Sequence, residues 1–241
     1  MGLVRIATWN MAADEAGGGR GFLASLCCEV LLLTEVPPDL QLSRYRLHFS
    51  KGRMVRGQAF AAVATRADPE GCVHPHRATV ASELGGTTFM ASVLPWRSAQ
   101  ATDGFAGGSQ GERTHGAVDS IAKGWPSTPV VWGGDWNHEL SGRISAGSKI
   151  GREAILGVVQ KRGLQVPTVV LGSEHGFGSV NHIAVPDDWK VMSVERHVAS
   201  SGGRRLSDHD AYAVEIEDRP GPTPASGGRR KSQPASLQAG E

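Results

Sequence analysis

The run Pro129-Val130-Val131-Trp132-Gly133-Gly134-Asp135-Trp136-Asn137 decides how this chain of 241 residues is read. Its first four residues form a short apolar strand of the kind buried on both faces in layered proteins. Two glycines then turn the backbone, and an acid, an aromatic and an amide follow. A carboxylate at the tip of such a turn is unshielded by its own backbone, so Asp135 faces the space beyond the strand end.

Working outward, three further words of this kind stand at the ends of apolar strands: Thr8-Trp9-Asn10, Leu33-Thr34-Glu35 and Leu206-Ser207-Asp208-His209. Each alone has the composition of an ordinary cap or turn. Together they are the footprint of one polar pocket. Glu35 comes just after the apolar run Val30 to Leu33, where a carboxylate is costly to bury without a cation or a donor. Oxygen donors such as Glu35, Asp208 and the Asn10 amide suit a hard cation. Mg2+ keeps several waters and takes one or two carboxylates plus substrate phosphate oxygens, with Mn2+ as the alternative ion. Soft zinc chemistry would want clusters of Cys and His. His209 adds a donor for a phosphoryl oxygen, and Asp135 and Asn137 share one direction if the backbone is extended. The set is suited to water attack on phosphorus.

Between these words the chain reads as alternating sheet and helix. Strands are expected at Leu3 to Thr8, Val30 to Thr34, Tyr45 to Ser50, Gln58 to Thr65, His76 to Glu83 and Thr87 to Leu94, with Gly85-Gly86 as a hairpin turn. More follow at Pro129 to Trp132, Ser179 to Val185, Lys190 to His197 and Asp210 to Ile216. Helices are expected over Gly21 to Glu29, Thr114 to Lys123 and Arg152 to Arg162, and Ser98 to Arg113 reads as a polar, glycine-rich loop facing substrate or mobile. Trp9 and Trp132 are expected to fill the space between sheets, and Cys27, Cys28 and Cys72 to be buried free thiols.

The chain has 25 basic and 24 acidic residues and 39% apolar content, enough for one sizeable core. Residues 219–241 contain four Pro and four Gly and carry Arg219, Arg229, Arg230, Lys231 and Glu241. Taking these four cations and one anion away leaves 21 basic and 23 acidic residues, so the body is mildly acidic. A catalytic domain over 1–218 and a disordered basic tail over 219–241 are the expected organisation. No run approaches the roughly 20 apolar residues of a membrane helix. Strand-like sequence begins at Leu3 where a secretory signal would have its apolar core. A cytoplasmic, reducing setting, a monomer and no membrane partner are therefore expected.

The words Trp9-Asn10, Thr34-Glu35, Gly134-Asp135-Trp136-Asn137 and Ser207-Asp208-His209, with Ser179-Val180-Asn181-His182-Ile183 between the last two, resemble the motif series of the endonuclease/exonuclease/phosphatase superfamily. The resemblance runs from about residue 3 to residue 217. It implies a DNase I-like α/β fold, in which two mixed β-sheets pack as a sandwich with helices on the outer faces. It also implies a metal-dependent phosphoesterase.

Chemistry and resemblance together assign roles. Glu35 is expected to hold the metal, with Asp208 on the same or a neighbouring ion and Asn10 ligating it or orienting its water. Asp135 is expected to activate or position the attacking water, Asn137 to donate to the phosphorus oxygens, and His209 to donate to a nonbridging oxygen or activate water. Asn181 departs from the pattern, which has Asp there. An amide can accept the histidine ring N–H but cannot stabilise an imidazolium by charge, which implies slowed turnover. His182, beside an apolar run, is expected to pack behind the site, and His115 and His138 to stand at its rim.

For substrate, Arg44, Arg46, Lys51, Arg53 and Arg56 fall in a stretch without an acid, and Trp96 and Arg97 follow a strand end. A basic edge with an aromatic fits a phosphate backbone. The leading expectation is an Mg2+-dependent nuclease acting on DNA or RNA. A phosphatase or phosphodiesterase of small-molecule or lipid-headgroup phosphates, and a non-catalytic nucleic-acid binder, are the alternatives.

Overall fold

Along Val30-Leu31-Leu32-Leu33 successive side chains point to opposite faces, and both faces are buried. Val30 and Leu32 join one apolar cluster, while Leu31 and Leu33 join another. This is why the strand reads as continuously apolar. The computed structural model describes residues 2–14, 17–172 and 178–217. The expected tail at 219–241 lies outside the described residues.

In chain order the elements are β1 (Leu3–Asn10), α1 (Gly19–Ser25), β2 (Val30–Val36), β3 (Arg46–Phe49), β4 (Ala59–Thr65), β5 (Gly71–Val73), β6 (Thr79–Leu84), β7 (Thr87–Val93), α2 (Gln110–Lys123), β8 (Val130–Asp135), α3 (Lys149–Lys161), β9 (Leu164–Gln165), β10 (Asn181–Pro186), β11 (Val191–His197), β12 (Ser200–Ser201), β13 (Arg204–Arg205) and β14 (Ala211–Glu217). They form two six-stranded sheets, β11-β14-β1-β2-β4-β3 and β5-β6-β7-β8-β10-β9, and a small β12-β13 ribbon. Each large sheet has one parallel pair at its centre, β1 with β2 and β7 with β8. Parallel neighbours need a crossover, which α1 and α2 supply.

Three apolar layers result. Ile6, Val30, Leu32, Val63, Ala91, Val131 and Ile183 lie between the sheets. Trp9, Leu31 and Leu33 face outward with Leu23 and Leu26 from and beside α1. Trp132 and Trp136 face outward on the other sheet with Ile121 of α2 and Ile155 of α3. Trp9 and Trp132 are thus fully buried but lie outside the sandwich interface. Their strand parity, an odd number of residues from Ile6 and Val131 respectively, sends them to the helix side.

At Gly133 an added Cβ would come within 2.7 Å of Leu32 Cδ1, so the sheets meet closely there. At Gly134, with φ +133°, a Cβ would lie 2.1 Å from the Ser92 carbonyl oxygen. Neither position admits a side chain.

Helix bounds differ from expectation for local reasons. Helix α1 stops early because Cys27 takes the left-handed φ of 53° that closes a helix, a role usually given to glycine. Helix α2 begins inside the expected loop, because Ser109 and Glu112 form a reciprocal capping box. Of the cysteines only Cys28 is buried. Cys27 and Cys72 are exposed, and all three are free.

Candidate active site

All four words reach the same end of the sandwich. Strands β1, β2 and β8 end there. Strand β10 runs antiparallel to β8 with Asn181 opposite Asp135, so it starts there. Strand β14 runs antiparallel to β1, which brings Ser207, Asp208 and His209 just ahead of it to the same rim.

The centre is one amide between two carboxylates from different sheets. Asn10 Nδ2 donates to Glu35 Oε1 at 3.0 Å and to Asp135 Oδ2 at 3.0 Å. Its oxygen accepts the Ala12 N–H at 2.9 Å. A backbone N–H can only donate, so the oxygen is turned to the chain's own turn and the amino group to the acids. Glu35 sits at φ 49° within β2, a left-handed conformation that costs on the order of 1–2 kcal/mol for a residue with a side chain. Strand parity would send Glu35 outward with Leu31 and Leu33. The backbone departure re-aims it at Asn10. Burial pushes the Glu35 carboxyl up from its ordinary pKa, the Asn10 hydrogen bond opposes this, and the Asp135 charge adds to it.

Asp135 Oδ1 accepts the Asn137 N–H at 3.0 Å, and Asn137, at φ 51°, donates its own amide to the Leu94 carbonyl at 3.0 Å. The side chain of Asn137 is thus anchored, with one of its two amide hydrogens engaged. Asn181 is buried, and its Nδ2 lies 2.8 Å from His209 Nδ1. The amino group faces the ring, so Nδ1 accepts and the ring proton sits on Nε2. This reverses the expectation that the amide would accept the ring N–H. The Asn181 oxygen is buried without a hydrogen-bond partner among the described residues.

His209 is held further by residues whose part was not read from the sequence. Ser207 Oγ donates to the Asn10 carbonyl at 2.8 Å and accepts the His209 N–H at 3.0 Å, and Trp9 Nε1 donates to the His209 carbonyl at 3.1 Å. The Ser-x-His spacing of a hydroxyl turn was the available signal. Asp208 is largely exposed, with an oxygen 3.9 Å from His209 Nε2.

Glu35 and Asp208 line a cavity of about 390 Å³ together with Arg56 and Trp96. Arg97 is exposed beyond that lining and gives its carbonyl to Arg113. The basic stretch is partly spent within the protein. Arg46 pairs with Asp68 at 2.6 Å, and Arg53 donates to the carbonyls of Ser50 and Gly52.

The other histidines fall behind or away from the site. His138 is fully buried, with Nδ1 2.8 Å from the Trp136 carbonyl, and is not a rim residue. His115 is exposed on α2. His182 is buried, donates Nε2–H to the His138 carbonyl at 3.0 Å, and has its pKa pushed down by burial to about 4. It packs as expected.

No protein-family model matches the sequence, and no curated protein matches it. Solved structures do. An AP endonuclease from Archaeoglobus fulgidus superposes with a TM-score of 0.67 at 12% identity, over 88% of this chain and 98% of that one. An endonuclease/exonuclease/phosphatase family protein from Leptotrichia buccalis C-1013-b gives 0.62 at 14% identity, over 89% and 100%. The endonuclease domain of TRAS1, a telomere-specific non-LTR retrotransposon, gives 0.57 at 14% identity, over 90% and 99%. The chain therefore has the DNase I-like fold, two mixed sheets sandwiched face to face with helices outside. Among the described residues no helix is long and apolar enough to cross a membrane.

Proposed function

We propose that this chain is a metal-dependent phosphodiester hydrolase acting on nucleic acid. The observation that carries the reading is the pair Glu35 and Asp135, brought from separate sheets onto the single Asn10 amide. Two carboxylates sharing one neutral donor leave negative charge uncompensated, which a cation would satisfy.

The residues fit a hard ion. Among the described residues no three His, Cys, Asp or Glu side chains gather as a complete shell, and Mg2+ needs only one or two carboxylates because it keeps waters. Glu35 would hold it, with Asp208 on the same cavity lining. Such an ion supplies charge neutralisation at a phosphoryl oxygen.

The chain's own groups do the rest. Asp135 orients the attacking water and takes its proton, fixed for that task by the Asn137 N–H and the Asn10 amide. His209, with Nδ1 occupied by Asn181, presents Nε2–H as a donor to a nonbridging oxygen. Preorganised donors of this type are worth about 3–4 kcal/mol each. Asn10 acts by holding both carboxylates in register.

A panel of plasmid DNA, oligonucleotides, RNA and small phosphoesters, with and without Mg2+, tests the reading. Asp135→Ala is expected to lower nucleic-acid hydrolysis by about 10²-fold or more. Turnover confined to small phosphoesters, or nucleic-acid cleavage unaffected in Asp135→Ala, would overturn it.

A further inference from the structure

The cavity holding Glu35 and Asp208 is lined by two unlike sets of groups. One is charged, with a third carboxylate, Asp103, and the cation Arg56 on the same lining. The other is apolar, with Met54, Val55 and Trp96 as its large side chains. Val55 sits in the turn between β3 and β4 and is 95% exposed, the most open of the large apolar side chains described. Trp96 follows Leu94-Pro95 at the end of β7 and is half-buried. Phe105 braces it edge-on, with centroids 5.9 Å apart at 86°, and among the described residues no ring stacks parallel to it.

These groups suit the two halves of a nucleotide. The carboxylates, with an ion that Glu35 would hold, would take the phosphate, and the apolar groups something flat and uncharged. About 390 Å³ admits one nucleotide-sized group. Bases inside a duplex are stacked and paired, so their faces are not presented to a side chain.

On the nuclease reading above, we infer that the cleft takes one unpaired nucleobase against Trp96, Met54 and Val55, which makes single-stranded or locally unpaired nucleic acid the substrate class. Stacking on an aromatic ring tolerates any base, since every base has a π face. Gln58, on the same lining, has a carboxamide able to meet a base edge.

Initial rates on three substrates test this. They are a short single-stranded oligonucleotide, the same strand annealed as a blunt duplex, and a strand with the same phosphates in which tetrahydrofuran replaces every base. The wild-type protein should cut the single strand at least about tenfold faster than the duplex. Trp96→Ala should lower kcat/KM on the base-bearing strand by about fivefold or more, chiefly through KM, and leave the baseless strand unchanged. Trp96→Phe should restore most of the loss, and the unchanged baseless rate shows that the variant is folded. Duplex cut as fast as single strand, or an equal loss on the baseless strand, would overturn the inference while leaving the nuclease reading intact. Failure of the nuclease reading looks different, because then no nucleic acid is cut by the wild-type protein and both fall.

Discussion

Asn181 places a hydrogen, rather than a negative charge, against His209 Nδ1. A carboxylate there would hold a second ring proton on Nδ1, so that Nε2–H would donate from a charged ring. In serine proteases the reverse change, Asp to Asn, costs about ten-thousandfold because the wrong tautomer is favoured. On the proposed function an ion and Asp135 would share the work, so Asn181→Asp is expected to raise kcat by about tenfold, and a rate unchanged or lowered would contradict the assignment. A second expectation concerns His182. Its pKa is about 4 when folded, against an ordinary value of 6.5, so the unfolded chain binds the proton more readily. Its contribution is fully present above pH 6.5 and is lost as pH falls toward 4. Between pH 6.5 and 5 the loss is about 2 kcal/mol. Urea unfolding at these two values measures it, and His182→Gln should remove that share of the slope. At this scale the sequence named residues that the fold brings together, but not their orientations. Asn10 was legible as part of the pocket, yet only the fold shows its oxygen committed to Ala12 and its amino group to the acids. His138 looked like a rim residue because it follows Asn137, and the buried side it turns to depends on packing from α3.

At the scale of elements the long strands were legible because period and composition agree in them. Strands β5, β9, β12 and β13, of two or three residues each, were not, since pieces so short are defined by their partners. Trp9 and Trp132 were expected between the sheets and instead pack outside them, because the face they occupy depends on register. The start of α2 was legible and went unread, because Ser109-x-x-Glu112 was lost among four glycines. Ser109→Ala is expected to cost about 1 kcal/mol through the lost cap. Calorimetry should show the melting temperature falling by about 2–4 °C, with Ser109→Asp close to wild type.

For the whole molecule, the order of the two sheets follows from four strand-end words meeting at one rim, and that convergence was the part of the fold the sequence stated best. What it left open is how the halves are joined at the site, because a contact between β1 and β8 has a sequence separation of 125. On the proposed function the carboxylate pair would make stability depend on cations. With Mg2+ at a hundred times its dissociation constant, binding should add about 2.7 kcal/mol to unfolding, read as a rise in melting temperature that EDTA reverses. Glu35→Gln should abolish that rise and melt no lower than wild type in EDTA, since one of two like charges is gone.

Gly134 carries a last consequence. Its neighbour strand leaves no room for even one methyl group, yet Gly134 bears no group that reacts. The smallest possible enlargement there would tilt the tip of β8 and swing Asp135 off its two tethers. On the proposed function, a lesion invisible to any inspection of polar atoms would then silence the protein as surely as deleting the acid itself.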